Sequence, residues 1–330
     1  MALLRRSKIL HPDVAGYPMM NTHQHEILKI NGGWADEDPA RGRSSADGAP
    51  GPAVAAILVN ADDWGRDTVT TDRSLECHRQ GAISSVSAMV FMEDSERAAG
   101  IAGLDRVDAG LHLNFTLSFS AQPCSSRLMG HQERISRFLR MHRLARFAYH
   151  PGLADSFEYV VKAQLEEFER LYGAPPNRVD GHDHMHLCTN VIRQELLPAG
   201  VIVRRNLSFG RSEKSYLNRA FRRRQDRRLA RRHWMTDFFF DLQPPEPRQR
   251  LAGILELAAR FDVEMEAHPI RDDEYRFLMD GGLLRCGVKV AVSRGYMLRF
   301  GNSDRADCSP AMAGEEMRWA RWNQRRAKSG

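Results

Sequence analysis

The sequence lacks the long apolar runs and paired cysteines that identify membrane proteins and disulfide-rich domains. No apolar stretch approaches the roughly 20 residues that a membrane-spanning helix needs. The five cysteines are odd in number and contain no C-x-x-C pair, which argues against a disulfide framework and against a thiolate zinc site. The apolar run at residues 52–59 is short and far from Met1, so it does not predict a signal peptide. We therefore expect a cytoplasmic protein without a membrane span.

Charge of either sign is not in large excess. Lysine and arginine number 48 against 42 aspartates and glutamates, a net charge of +6, and this sum does not by itself predict a nucleic-acid partner. Of the 330 residues, 42% are apolar and 27% are charged, which excludes fibrous and wholly disordered chains. The length suits one α/β barrel or two smaller domains.

Composition divides the chain into regions. Residues 1–52 are predicted to be a poorly ordered leader, because residues 36–52 are rich in glycine, proline, serine and charge and show no period. From residue 53 onwards, strand and helix patterns alternate, which indicates a parallel sheet with helical crossovers. We assign residues 53–300 to this domain, with a basic insertion at 205–247, and residues 301–330 to a C-terminal tail. The strands are predicted at residues 53–59, 83–92, 109–113, 201–203 and 263–267, with another beginning at Arg178, and the helices at 70–80, 155–172, 192–197 and 248–260.

Two adjacent aspartates, Asp62 and Asp63, follow the first predicted strand. In parallel α/β folds the carboxyl ends of the strands carry the active site. Because adjacent strand residues point to opposite sides, both aspartates face one site only if the chain turns there, which Gly65 permits. Such a pair suits one metal ligand and one general base. An Asx turn or a helix cap is the structural alternative.

A second polar segment combines Asp180 with His182, His184 and His186. In an extended segment these alternate residues line one face. Neutral imidazole is the commonest metal ligand among side chains, and a neighbouring carboxylate fixes its tautomer. The spacing therefore predicts a metal site, and it differs from the helical H-E-x-x-H motif of metalloproteases.

Two single histidines also lie on predicted strands or at their ends. His112 interrupts the apolar strand at 109–113, and His268 follows the strand at 263–267, directly before Pro269. Each has a structural alternative, as a core histidine or a turn histidine. All these polar groups lie on or just after predicted strands, as a metal site at a barrel mouth requires.

Residues 204–232 contain eleven arginines and one lysine against Glu213 and Asp226. One interpretation is an anion-binding or nucleic-acid-binding patch. We favour a solvated helical insertion whose arginine stems pack while their charged groups stay in water.

The motifs together resemble the YdjC-like carbohydrate deacetylases, the ChbG-like and HpnK-like group. The resemblance covers residues from about 53 to about 300. It rests on four quoted patterns: Asn60-Ala61-Asp62-Asp63, Gly110-Leu111-His112-Leu113-Asn114, Asp180-x-His182-x-His184-x-His186 and Glu264-x-x-x-His268-Pro269.

The resemblance implies a distorted parallel β/α barrel, TIM-like and of the glycoside hydrolase or deacetylase type. It also implies a divalent metal held by Asp63, His112 and His182, with Asp62 as general base for a metal-bound water and His268 as general acid. The remaining candidate residues, assigned to substrate binding or to support of the ligands, are Asp180, His184, His186 and Arg204. The family points to Mg²⁺, whereas two imidazole ligands favour a transition metal such as Zn²⁺.

The expected activity is hydrolysis of the N-acetyl group of a small acetylated amino sugar or glycoside. The family often forms dimers, so a homodimer stays open. Two other functions also stay open: another metallohydrolase on the same barrel, either a phosphoesterase or an amidohydrolase, and a basic nucleic-acid-binding protein. We do not expect a nucleic-acid partner.

Overall fold

The computed structural model describes residues 55–142, 144–209, 213–244, 248–283, 285 and 290–292. The predicted leader at 1–52 and tail at 301–330 lie outside these residues. Among the described residues, no helix is both long enough and apolar enough to cross a bilayer.

Strands and helices alternate along the described chain. The strands are β1 (Ala55–Trp64), β2 (Ser85–Ala88), β3 (Ala109–Leu113), β4 (Arg178–Gly181), β5 (Ile202–Val203), β6 (Phe238–Asp241), β7 (Val263–Ala267) and β8 (Val290–Val292). The α-helices are α1 (Thr68–Arg79), α2 (Ser95–Asp105), α3 (Ser126–Met141), α4 (Ala154–Tyr172), α5 (Thr189–Gln194), α6 (Tyr216–Leu229), α7 (Arg248–Ala258) and α8 (Asp272–Met279).

The strands form one parallel sheet in the order β5-β4-β3-β2-β1-β7-β6, and β8 pairs with the first residues of β1. The sheet curls, and backbone hydrogen bonds join its two edges. The Val203 N–H donates to the Trp234 carbonyl and the Ser208 N–H to the Phe239 carbonyl, both at 2.8 Å. The α/β architecture with a curled, barrel-like parallel sheet confirms the predicted fold class.

The two faces of the sheet differ in polarity because successive strand residues point to opposite sides. Apolar side chains such as Val86, Leu111 and Met265 belong to the main hydrophobic core. In α4, Phe157, Val160 and Phe168 are buried in the same core. The other face of the sheet, here called the inner face, carries polar side chains and forms the candidate site.

Several predicted boundaries shift in the structure. β1 continues through Trp64, so Asp62 and Asp63 lie within the strand instead of after it. β2 ends at Ala88, and α5 stops at Gln194 because Glu195 adopts a left-handed conformation (φ 56°). The predicted basic insertion at 205–247 contains β6, which pairs with β7 in the sheet. Apolar runs alone do not distinguish strand, helix and buried loop, which explains these shifts.

Candidate active site

The inner face of the sheet is a buried network of polar side chains. They alternate with apolar residues along each strand, and the curled sheet directs them toward one another. Each is at most 5% exposed, so none is solvated as it would be in an unfolded chain. The network consists of Asn60 and Asp62 on β1, Ser85 and Ser87 on β2, His112 on β3, Arg178 and Asp180 on β4, Arg204 just after β5, and Glu264 and Glu266 on β7.

A β-bulge directs both aspartates to one site. Ala61 pairs with Val86 and Trp64 with Ala88, so β1 has one more residue than β2 over this interval. Asp63 has a φ of +67°, a conformation that aspartate tolerates better than most residues. The extra residue interrupts the normal alternation of side-chain directions along β1, so that Asp62 and Asp63 can face the same site. The sequence predicted a turn that Gly65 would permit. In the structure this turn occurs at Asp63, two residues earlier.

Arg204 is the cation at the centre of the network. Its guanidinium binds both oxygens of Asp62 at 2.7 and 2.8 Å, Asp180 at 3.0 Å, Glu264 at 2.7 Å and Glu266 at 3.2 Å. Burial on its own would raise the pKa of Asp62 and of Asp180, but the charge of Arg204 contributes to lowering both values. The same carboxylates hold the pKa of Arg204 well above its usual range, against the effect of burial. The charge of this buried cation therefore helps to keep Asp62 and Asp180 ionised despite their burial.

Asp63, His112 and His182 converge on one point, and we call them the Asp63 cluster. His182 Nδ1 lies 2.9 Å and His112 Nε2 3.4 Å from Asp63 Oδ1. The other nitrogen of His112, Nδ1, lies 2.8 Å from Asp180 Oδ1 and must donate to that carboxylate. Arg66 binds the second oxygen of Asp63 at 3.0 Å.

The donor set of the Asp63 cluster fits a divalent metal ion. One carboxylate oxygen and two imidazole nitrogens lie within 4.8 Å of one another. An Asp180 carboxylate behind His112 fixes the tautomer whose Nε2 faces the cluster. Burial would lower the pKa of His112, but Asp62 and Asp180 raise it to about 10. Metal binding at Nε2 therefore competes with a proton.

Ligand atoms of Asp62, His112 and Asp180 also lie within 4.8 Å of one another. This second group is less suited to a cation, because the Arg204 guanidinium already bonds to both of its aspartates. A second positive charge there would meet strong repulsion in a buried setting. The geometry thus favours one metal at the Asp63 cluster.

The expectation that His182, His184 and His186 line one extended face is wrong. The segment His182–Leu187 is a 3₁₀ turn, in which Asp183 and His184 have φ values of 54° and 56°. In this turn the side chains do not alternate as they do in an extended strand, so the three imidazole rings point in different directions. His182 reaches Asp63, as predicted for a member of the site.

The two other histidines have separate environments. His184 Nε2 lies 3.4 Å from Glu266 Oε1, and its ring meets the Phe239 ring edge-on. His186 is buried, its Nε2 donates to the Arg204 carbonyl at 2.9 Å, and burial lowers its pKa to about 3. His186 therefore remains neutral and holds the main chain of Arg204.

His268 follows β7 and is fixed by Glu274 on α8. Its backbone N–H donates to Glu274 Oε2 at 2.6 Å, and its ring Nδ1 lies 3.7 Å from the same oxygen. Its side chain is 29% exposed, so the ring is accessible from solvent. Burial would lower the pKa of His268, but Glu274, Asp62 and Glu266 raise it to about 10.

Sequence reasoning did not assign roles to Glu266, Ser87, Arg66 and Glu274. A signal for the glutamates of β7 was present, because Glu264 and Glu266 alternate with apolar residues inside a strand that is otherwise apolar. Charged residues at every second position of a buried strand indicate a polar interior. Arg66 and Glu274 lie outside the strands, and their contacts with the site depend on the folded geometry.

Comparison with known proteins relates the chain to carbohydrate deacetylases. The family described as YdjC-like protein matches residues 56–287. A chitooligosaccharide deacetylase of Proteus mirabilis (strain HI4320) is 30% identical over 132 residues, 40% of this chain and 50% of that protein. A carbohydrate deacetylase of Danio rerio is 30% identical over 146 residues, 43% of this chain and 45% of that protein. The chain thus spans about half the length of the curated relatives that it matches.

A solved structure shares the fold. It comes from Enterococcus faecalis V583, and its name refers to cellobiose-phosphate cleavage. It is 13% identical in sequence, superposes with a TM-score of 0.50, and covers 72% of this chain and 96% of its own. At this identity the likeness concerns the architecture alone.

Replacing Arg204 with Met is expected to destabilise the protein by about 3–5 kcal/mol, because it leaves buried carboxylates without their counter-ion. Urea denaturation would measure this loss. The matched control is Arg137→Met, since Arg137 pairs with the exposed Glu133 on α3 and the loss of such a surface pair costs about 1 kcal/mol or less.

The loss of unfolding free energy caused by Arg204→Met is also expected to depend on pH. The lowered pKa values of Asp62 and Asp180 stabilise the parent protein above their unfolded pKa, and this stability is lost as pH falls through their folded pKa. In the variant the same carboxylates take up protons more readily. The difference in unfolding free energy between parent and variant should therefore become smaller at acid pH. A difference that does not depend on pH would contradict the electrostatic interpretation.

Proposed function

The chain belongs to the YdjC-like family, and from this premise we propose that it hydrolyses the N-acetyl group of an acetylated amino sugar with a divalent metal ion. The observation that supports this proposal most directly is the Asp63 cluster, which combines one carboxylate and two imidazoles on the inner face of the sheet. The deacetylase names of the curated relatives support the substrate class. An N-acetyl amide resists hydrolysis, so the site must provide a nucleophile, charge stabilisation and a proton for the departing amine.

Asp63, His112 and His182 would hold the metal. When bound there, a divalent ion supplies Lewis-acid chemistry by polarising a carbonyl and acidifying water. We propose Mg²⁺ from the family resemblance, with Zn²⁺ as the alternative that two imidazole ligands favour. Asp180 orients His112 through its 2.8 Å contact with Nδ1.

Asp62 is proposed as the general base that takes a proton from the attacking water. Its Oδ1 accepts hydrogen bonds from Asn60 and from Arg204, whereas its Oδ2 accepts one bond from Arg204. A carboxylate oxygen has two acceptor sites, so Oδ2 retains one for the incoming proton. The lowered pKa of Asp62 keeps it ionised at neutral pH, which is the form that a base requires.

His268 is proposed as the general acid for the departing amine. Its raised pKa keeps the ring protonated at neutral pH, and its partial exposure gives a substrate access to it. Glu274 holds the residue through its backbone N–H. His184, also partly exposed and beside Glu266, is proposed to bond a sugar hydroxyl.

The expected outcome of a direct assay is acetate release from N-acetylated amino sugars by the full chain. Protein stripped with a chelator should lose this activity and regain it with a divalent ion. A panel of acetylated chitooligosaccharides and of phosphate esters distinguishes the two hydrolase classes. Release of phosphate without acetate would replace the proposal with a phosphoesterase.

Asparagine substitutions should separate the two adjacent aspartates. Asp62→Asn is expected to keep the metal and lower turnover by about 10²–10⁴-fold, the usual worth of a general base. Asp63→Asn is expected to lose metal first and to recover part of its activity in excess metal. Metal content per chain and turnover are measured together, with surface Asp72→Asn as the matched control. If Asp62→Asn loses the metal and Asp63→Asn keeps it, the roles are exchanged.

Glu274→Gln tests how His268 is held protonated. Glutamine retains an acceptor for the His268 backbone N–H but removes the negative charge, so the pKa of His268 should fall. Because the acid works only when protonated, the basic limb of the pH–kcat profile should move to lower pH. Glu133→Gln, at an exposed glutamate paired with Arg137, is the control. An unmoved limb would mean that His268 is not the acid or that Glu274 does not tune it.

A further inference from the structure

The solvent-facing side of α6 combines arginines with large apolar side chains. The helix contains six arginines and a single acid, Asp226. Asp226 is buried and bonds to Arg205 and Asn206, so it does not offset charge at the surface. Arg224, Arg227 and Arg228 are exposed and make no ion pair within the described part of the chain.

Apolar side chains lie beside these cations. On α6, Leu217 is 78% and Tyr216 73% exposed, and Phe221 is partly exposed. Phe221 meets the ring of Phe147 edge-on, with centroids 5.3 Å apart. Leu144, in the turn that leads to Phe147, is 61% exposed. These residues, together with the three exposed arginines, are called the α6 patch.

The α6 patch lies close to the candidate active site. Phe147 is adjacent to Arg146, whose guanidinium is 3.5 Å from the carbonyls of Asp183 and His184. Those two residues belong to the turn that carries His182 toward Asp63. The apolar part of the patch therefore borders the segment that forms one side of the site.

We propose that the α6 patch docks the protein on the surface of a bilayer that contains anionic lipids. Unpaired arginines complement anionic headgroups, and leucine and aromatic side chains enter the boundary between headgroups and acyl chains. Tyrosine suits this boundary because its ring is apolar and its hydroxyl is polar. The protein would lie on the membrane without crossing it. The proposal does not depend on the reaction at the active site.

Other occupants fit the patch less well. A second copy of the chain would bring two sets of unpaired arginines together, and like charges oppose this contact. A nucleic acid would satisfy the arginines, but Leu217 and Leu144 carry no group that binds phosphate or reads a base. A bilayer satisfies both halves of the patch.

Vesicle sedimentation with the full chain tests the proposal. The protein should bind vesicles of phosphatidylcholine mixed with phosphatidylglycerol, bind pure phosphatidylcholine much less, and dissociate as salt rises. The triple variant Arg224→Gln, Arg227→Gln, Arg228→Gln should bind the anionic vesicles on the order of a hundredfold more weakly, since each arginine near the surface contributes roughly fivefold. The control triple variant, Arg79→Gln, Arg137→Gln, Arg170→Gln, removes the same charge from exposed ion pairs elsewhere and should bind normally.

A second pair of variants tests the apolar half of the patch. Leu217→Ser should weaken vesicle binding, whereas Leu104→Ser, at an exposed leucine of α2, should not. Equal losses in both triple variants, or no effect of Leu217→Ser, would overturn the proposal. Tighter binding of a single-stranded oligonucleotide that is insensitive to Leu217→Ser would also overturn it and assign the patch to nucleic acid.

Discussion

One buried guanidinium makes the polar interior of this sheet possible. Four carboxylates lie on the inner face within bonding distance of Arg204. Without a cation among them, their mutual repulsion and their loss of hydration would oppose folding or force them to take up protons. Arg204 follows β5 at one edge of the sheet, whereas its partners include residues of β1 and β7 near the other edge. The same contact therefore stabilises charge and holds the curl of the sheet.

The geometry of the candidate site depends on this cation through shared partners. Asp180 bonds to Arg204, to Ser87 and to His112, so the orientation of one proposed metal ligand is coupled to the central charge. Asp62 is held by the same guanidinium, and His186 fixes the main chain of Arg204 from behind. A disturbance at Arg204 would thus reach the proposed base and the proposed metal site together.

The sequence predicted the parts of the fold that local patterns encode. Alternating apolar strands and helices predicted the parallel α/β sheet, and β3 and β7 have the predicted bounds. The rule that strand carboxyl ends meet at one edge predicted that the polar segments converge, and the family resemblance selected Asp63, His112 and His182 among them. The bulge at Asp63 and the left-handed residues Asp183 and His184 were not predictable, because pairing with β2 and packing against the site determine these conformations. The prediction that alternate residues share one face therefore failed where the chain departs from regular strand geometry.

The distribution of charge carries more information than the net charge of +6. Inside the sheet, carboxylates outnumber the central cation and are compensated by hydrogen bonds from Asn60, Ser87 and His112. Outside, α6 presents Arg224, Arg227 and Arg228, which make no ion pair in the described part of the chain. Arg146 connects the two regions, because it bonds to the turn of the site while the next residue, Phe147, packs on α6. A surface that docked through α6 would consequently lie beside the same turn that positions His182.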